Sequence, residues 1–121
     1  MADAKESLEE AMKIDGAIGA ALVDVKSGMC LGTSGGGKDL NLEVAAAGNT
    51  EVVRAKMKVM NSLGLKDKIE DVLITLGGQY HLIRMLKSAG NLFMYLALDR
   101  EKSNLAMARH KLGSIEEALQ T

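Results

Sequence analysis

The sequence predicts an α+β sandwich, a five-stranded antiparallel sheet with helices on both faces, in the order α-β-β-α-β-β-β-α. Three observations predict it. Five short apolar segments are separated by glycine-containing turns, and three other stretches space their apolar residues three and four apart. The strand segments are also apolar on both sides: Leu92, Met94, Leu96 and Leu98 alternate with Phe93, Tyr95 and Ala97, and residues 72–76 carry no polar face either. A sheet with one side in water would alternate apolar with polar. Helices must therefore cover both faces, and hairpin-length links make the strands antiparallel.

Residues 3–15 predict a short amphipathic helix. Asp3 and Glu6 have capping-box spacing, Ala4, Leu8, Ala11 and Met12 share a face, and Gly16 sits where a left-handed C-terminal cap belongs. Residues 17–25 and 29–33, joined by Lys26-Ser27-Gly28, predict a hairpin. Gly35, Gly36 and Gly37 follow as a flexible break. The longest helix is expected over residues 40–63, capped by Asp39 or Asn41, with Gly48 costing it about 1 kcal/mol relative to alanine. Strands are expected at residues 71–76, 80–86 and 92–98, turned by Gly77-Gly78 and by Ser88-Ala89-Gly90-Asn91. A last helix, with Ser103 as N-cap, lines up Leu105, Ala108, Leu112, Ile115 and Leu119.

At 121 residues the chain predicts one domain, spanning residues 1–121. Its 15 basic and 16 acidic residues give a net charge of −1, which supplies no field for a nucleic-acid backbone. Tyr80, Phe93 and Tyr95 are too few for a base-stacking platform. The single cysteine, Cys30, excludes an intrachain disulfide and a cysteine-based zinc cluster, and points to a reducing compartment. No run approaches the roughly 20 apolar residues that span a bilayer, and the charged first 14 residues do not form a signal peptide. A cytoplasmic protein without membrane insertion is expected.

The long helix carries more apolar surface than one domain needs. At 100° per residue, Leu42, Ala46, Val53, Met57 and Met60 make one stripe. Val44, Gly48, Val52, Ala55 and Val59 make a second on the opposite flank, and Thr50, Glu51, Arg54, Lys58 and Asn61 fill the polar arc. A surface helix needs one stripe of about 100°. Either the helix is deeply buried within its own domain, or one flank packs on a second chain. The small residues Gly48 and Ala55 favour close helix–helix approach, and the second reading is preferred. The strand at residues 71–76 follows directly, so helix and sheet edge could form one two-fold interface.

Chemical motifs are sparse. Gly32-Thr33-Ser34-Gly35-Gly36-Gly37-Lys38-Asp39 has the spacing of a phosphate-binding loop, but Asp39 replaces the hydroxyl that would ligand magnesium. The preceding strand also belongs to a hairpin rather than a parallel βαβ unit, so nucleotide binding is rejected here. His81 and His110 lie in different elements; His81 alternates with Ile83 and Met85 on an apolar strand face, as a satisfied core or interface histidine would. Cys30 lies in an apolar strand and is expected to be inert. No catalytic, cofactor-binding or metal-ligating set is expected.

Ile18-Gly19, Asp24 and Gly28 in the first hairpin, Asp99 closing the last strand, and Asn104-Leu105-Ala106-Met107-Ala108-Arg109 with Leu112 together resemble the roadblock (dynein light-chain) family, most closely its bacterial single-domain members. The resemblance covers about residues 3–119. It implies a profilin-like three-layer α-β-α sandwich and a homodimer built from the second helix and third strand. Dimer contacts would then fall on Val44, Gly48, Val52, Ala55 and Val59, and on Val72, Ile74 and Leu76. Family members are non-enzymatic regulators or scaffolds of small Ras-like GTPases, or adaptors in motor and signalling assemblies. Glu51, Arg54 and Lys58 would lie near a partner-facing surface. A small-ligand sensor rests on fold analogy alone.

Overall fold

At the centre of the structure is a strand with no face toward water. In the computed structural model, which describes residues 2–38, 40–87 and 90–119, β5 (Leu92–Asp99) is buried at every position up to Leu98. The rest of the sheet is arranged around it. The chain runs α1 (Ala4–Ala11), β1 (Ala17–Asp24), β2 (Cys30–Gly35), α2 (Leu42–Ser62), β3 (Asp71–Thr75), β4 (Gln79–Met85), β5 and α3 (Leu105–Ala118). The five strands lie in the order β2-β1-β5-β4-β3, each pair antiparallel.

Two apolar layers follow from the alternation. On one side Leu22, Leu82, Leu96 and Leu98 pack with Leu8 and Ala11 of α1 and Ala108 and Leu112 of α3. On the other, Val23, Ile83, Phe93 and Tyr95 pack with Leu42, Ala46 and Val53 of α2. The three-layer α-β-α sandwich and its element order are as the sequence predicts.

Local chemistry sets the ends. Asp3 accepts from the Glu6 N–H at 2.8 Å and caps α1, which stops at Ala11, earlier than expected. The chain then turns to Gly16, whose φ of +85° provides the left-handed position. Asn41 caps α2, accepting from Glu43 and Val44 N–H at 3.1 Å, while the alternative cap Asp39 and the turn residues Ser88 and Ala89 lie outside the described residues. The N-cap of α3 is Asn104, which accepts from Met107 N–H at 3.1 Å, and not Ser103. Ser103 packs so closely on Gly16 that a Cβ there would lie 2.9 Å from its own, and its buried hydroxyl has no hydrogen-bond partner among the described residues.

Two of the three glycines in the run are tightly packed. Gly35 ends β2 at φ +75°, where a Cβ would come within 2.5 Å of Met12 Cε and 2.8 Å of the Ile18 carbonyl. A Cβ at Gly36 would lie 2.9 Å from the Leu40 carbonyl. These residues are small because α1, β1 and the entry to α2 press against them. Gly35→Ala is therefore expected to lower unfolding free energy by about 2–4 kcal/mol through strain and overpacking, whereas Gly77→Ala, facing open space, stays within about 0.5 kcal/mol. Urea denaturation of the two variants checks this.

Candidate functional site

The anchoring face of α2 is short. Leu42, Ala46, Thr50 and Val53 are buried, but Met57 is 38% exposed and Met60 only half-buried, so the last turns project beyond the support. Thr50 corrects the sequence reading, which placed it on the polar arc. Its hydroxyl donates to the Ala46 carbonyl at 2.7 Å, a bond within the helix that satisfies the polar atom and leaves the methyl for the core.

The second apolar stripe faces outward. Val44 is 67% exposed and Val59 48%, Val52, Gly48 and Ala55 are exposed, and a Cβ at Gly48 would meet nothing within 4 Å. Deep burial within one domain does not hold for this flank. α2 packs mainly over β1 and β2, its buried stripe reaching Ile83 and Met85 of β4, and leaves β3 and the first residues of β4 less covered. There Val72, Ile74, Gln79 and His81 are half-buried and Leu76 is exposed. An open groove of about 560 Å³ separates the two, lined by Val52, Lys56 and Met60 of α2, Leu65 and Ile69 of the connection, and Val72 of β3. Among the described strands β3 pairs with β4 alone, so its other edge is unpaired. Exposed helix flank, groove and free strand edge are contiguous.

Glu51, Arg54 and Lys58 lie together on the next arc of α2, and all three are exposed. Arg54 is less free than its neighbours: its guanidinium donates to the Lys26 carbonyl in the β1–β2 turn and stands 3.4 Å from Glu51. It ties the helix to the hairpin.

His81 is a satisfied histidine, as expected. Its Nε2 lies 2.7 Å from Gln79 Oε1 and its Nδ1 3.2 Å from the Tyr95 hydroxyl, with the Tyr95 ring edge-on at 5.4 Å. Burial lowers its pKa below the ordinary 6.5 and raises that of Tyr95, the latter offset in part by Asn49 of α2. Cys30 makes a weak contact at 3.8 Å with the Leu42 carbonyl, and burial raises its thiol pKa, which keeps it protonated. In the glycine segment, Gly36 N–H donates to Ile18 and Gly37 N–H to Leu40, while Asn41 occupies the first amides of α2. Those amides are used by the chain itself, which agrees with the rejection of a phosphate loop. Among the described residues no group of three or more His, Cys, Asp or Glu gathers to hold a metal ion, and no helix is long and apolar enough to cross a membrane.

One cluster escaped the sequence reading. Glu116 of α3 is buried, accepts from Arg84 Nε at 2.9 Å and from Lys87 N–H at 2.8 Å, and so binds α3 to β4. Asp71, the first residue of β3, bridges Arg84 at 3.7 Å and Arg109 of α3 at 3.3 Å. The unpaired edge strand is thereby fastened to the helix layer behind it. The partners lie far apart along the chain, 32 residues for Arg84 and Glu116 and 38 for Asp71 and Arg109, and appear in sequence as ordinary surface charges. The residues that carry the family resemblance also hold turns. Asp24 accepts from Ser27 Oγ at 2.9 Å and Lys26 N–H at 3.1 Å, which lower its pKa, and Asp99 accepts from Glu101 N–H at 3.0 Å.

No family model matches the chain, and no curated protein matches it in sequence. Solved structures do. A Roadblock/LC7 domain from Streptomyces avermitilis superposes with a TM-score of 0.81 at 12% identity, over 97% of this chain and 94% of that one. Myxococcus xanthus MglB gives 0.80 at 13% identity, covering 93% and 80%. The gliding protein MglB of Thermus thermophilus gives 0.80 at 20% identity, covering 94% and 83%. The chain has the roadblock fold.

The Arg84–Glu116 pair is largely desolvated, so removing one charge strands the other. Glu116→Gln is expected to cost about 3 kcal/mol of unfolding free energy. The double change Arg84→Met with Glu116→Leu should cost less than the two single changes together. A double-mutant cycle in urea measures both.

Proposed function

We propose that the chain acts as a homodimer, α2 flank against α2 flank and β3 against β3, and that this dimer is a non-enzymatic regulator or scaffold of a small Ras-like GTPase in the cytoplasm. The observation that carries the dimer is the continuity of an exposed apolar helix flank, an apolar groove and an unpaired strand edge. Each alone is common. Together they present side chains and backbone groups for one partner surface, and a two-fold axis satisfies both copies at once. Val44, Gly48, Val52, Ala55 and Val59 would form the helix contact, with Gly48 and Ala55 allowing close approach. Val72, Ile74 and Leu76 would contribute the strand, joining two five-stranded sheets into one of ten.

Support for the GTPase comes from the resemblance of the sequence to the roadblock family and from the shared fold with two MglB structures. In this reading Glu51 and Lys58, exposed beside the helix contact, meet the GTPase, and Arg54 positions the helix. The chain brings no catalytic group of its own.

Ala55→Glu puts a charge on the helix contact without disturbing the buried stripe. It is expected to convert a dimer to a folded monomer in sedimentation velocity at micromolar concentration, with the far-ultraviolet circular dichroism unchanged. A wild-type protein that sediments as a monomer would refute the interface.

Affinity capture from native lysate, run with a non-hydrolysable GTP analogue and with GDP, should recover a small GTPase preferentially in one state. The combined change Glu51→Lys with Lys58→Glu should weaken that capture about tenfold, equivalent to about 1.4 kcal/mol. Recovery of a kinase or another roadblock chain instead would identify an adaptor subunit.

A further inference from the structure

His81 lies on the face of the sheet that α2 packs on, beside the edge strand β3. By register it pairs with Ile74 of the edge strand on one side and Ala97 of β5 on the other, facing α2. Its neutral ring is already fully bonded, Nε2–H to Gln79 and Nδ1 to the Tyr95 hydroxyl, and the ring is half-buried where α2 leaves the sheet uncovered. In the dimer proposed above, a second copy seated on β3 and the α2 flank would cover what remains exposed of it.

The ring's hydrogen-bond partners, Gln79 and Tyr95, are uncharged, and a proton on Nδ1 obliges the Tyr95 hydroxyl to turn from donor to acceptor. From β3 the facing residues are Val72 and Ile74, and from β4 itself Gln79, Ile83 and Met85. α2 presents the neutral Asn49 and, lining the groove, the cation Lys56. Asp99, paired with Gln79 at the end of β5, is engaged by Glu101 N–H at 3.0 Å and by Lys102 at 4.0 Å. Asp67, Lys68 and Glu70 line the groove beside Ile69 and Asp71, toward the start of β3. An imidazolium here exchanges water for mostly uncharged side chains, with Lys56 and Lys68 offset by Asp67 and Glu70 along the groove.

We infer that His81 makes self-association proton-sensitive: the dimer persists near neutral pH and dissociates as the medium is acidified toward about pH 5.5. The inference rests on the dimer proposed above. Its sign follows from linkage. The form that buries the ring more deeply binds its proton less tightly, so lowering the pH through the histidine range favours separated protomers. Two rings are buried per dimer, so a roughly threefold penalty on each multiplies to about tenfold in Kd. The chain has only two histidines, and His110 lies on the exposed face of α3, in the opposite layer.

The test is sedimentation velocity at pH 7.5 and pH 5.5 on wild type, His81→Gln and His110→Gln, with circular dichroism reporting the fold at each pH. The expected result is a wild-type Kd about tenfold weaker at pH 5.5, the same shift in His110→Gln, and none in His81→Gln. A dimer of unchanged Kd at both pH values overturns the inference and leaves the interface standing. A monomer at pH 7.5 overturns the interface and the inference with it. An acid shift that survives in His81→Gln assigns the effect to another group and overturns the inference. A direct readout avoids dependence on the variant: the His81 ring titration followed by proton NMR should move to lower pH as wild-type concentration is raised across Kd. A concentration-independent midpoint overturns the inference.

Discussion

One helix cannot cover five strands. At about 4.8 Å between strands the sheet is about 20 Å across, and a helix with its side chains is about 10 Å wide. Behind the sheet α1 and α3 lie side by side and the widths match. In front, α2 stands alone, mainly over β1 and β2; Ile83 and Met85 of β4 are still buried on that face, but Val72, Ile74 and His81 are only half-buried. The mismatch accounts for most of what is unusual in the molecule: the partial exposure of Val72 and Ile74, the groove, and an α2 that carries valines on its outward flank. β5 escapes exposure because it is third of five, within reach of helices on both sides.

Much of this is legible in the sequence because it is written in periods. The two-sided apolar character of β5 requires two helical layers, and the second stripe of α2 is the flank that lies exposed. Residues 71–76 read as an edge strand from their place after the long helix. The misplaced features are those decided by neighbours distant in sequence or by a single hydrogen bond. Thr50 counts as polar until its hydroxyl is seen bonded to the preceding turn. Ser103 has the right chemistry for a cap but is held against Gly16, so the next residue caps the helix instead. The glycine run reads as a flexible break by composition, whereas Gly35 and Gly36 are required by the proximity of Met12, Ile18 and Leu40.

The ionic cluster shows the same limit more sharply. Arg84, Asp71, Arg109 and Glu116 come from three elements, and no local pattern joins them. A buried carboxylate on α3 is costly unless it is paired and hydrogen-bonded, and here the Arg84 guanidinium and the Lys87 amide provide both. The cluster holds β3 from behind while its front and its edge remain open. The edge strand is thus held at its first residue by the Asp71 ion pairs rather than by a neighbouring strand on its outer side.

The opposite edge is built differently. In β2, Cys30 pairs with Val23 and Gly32 with Leu22, so Leu31 is an extra residue in the ladder, and the strand ends on a left-handed glycine. A bulge of this kind twists an edge and interrupts the row of amides and carbonyls on which another strand could align. The two margins of the sheet are therefore unequal, one regular and one spoiled. A sheet with two regular margins could add subunits without end, whereas one with a single regular margin has its growth terminated after the first pairing. In the proposed dimer, the bulge at Leu31 would act as a stop on further addition, at the margin farthest from β3.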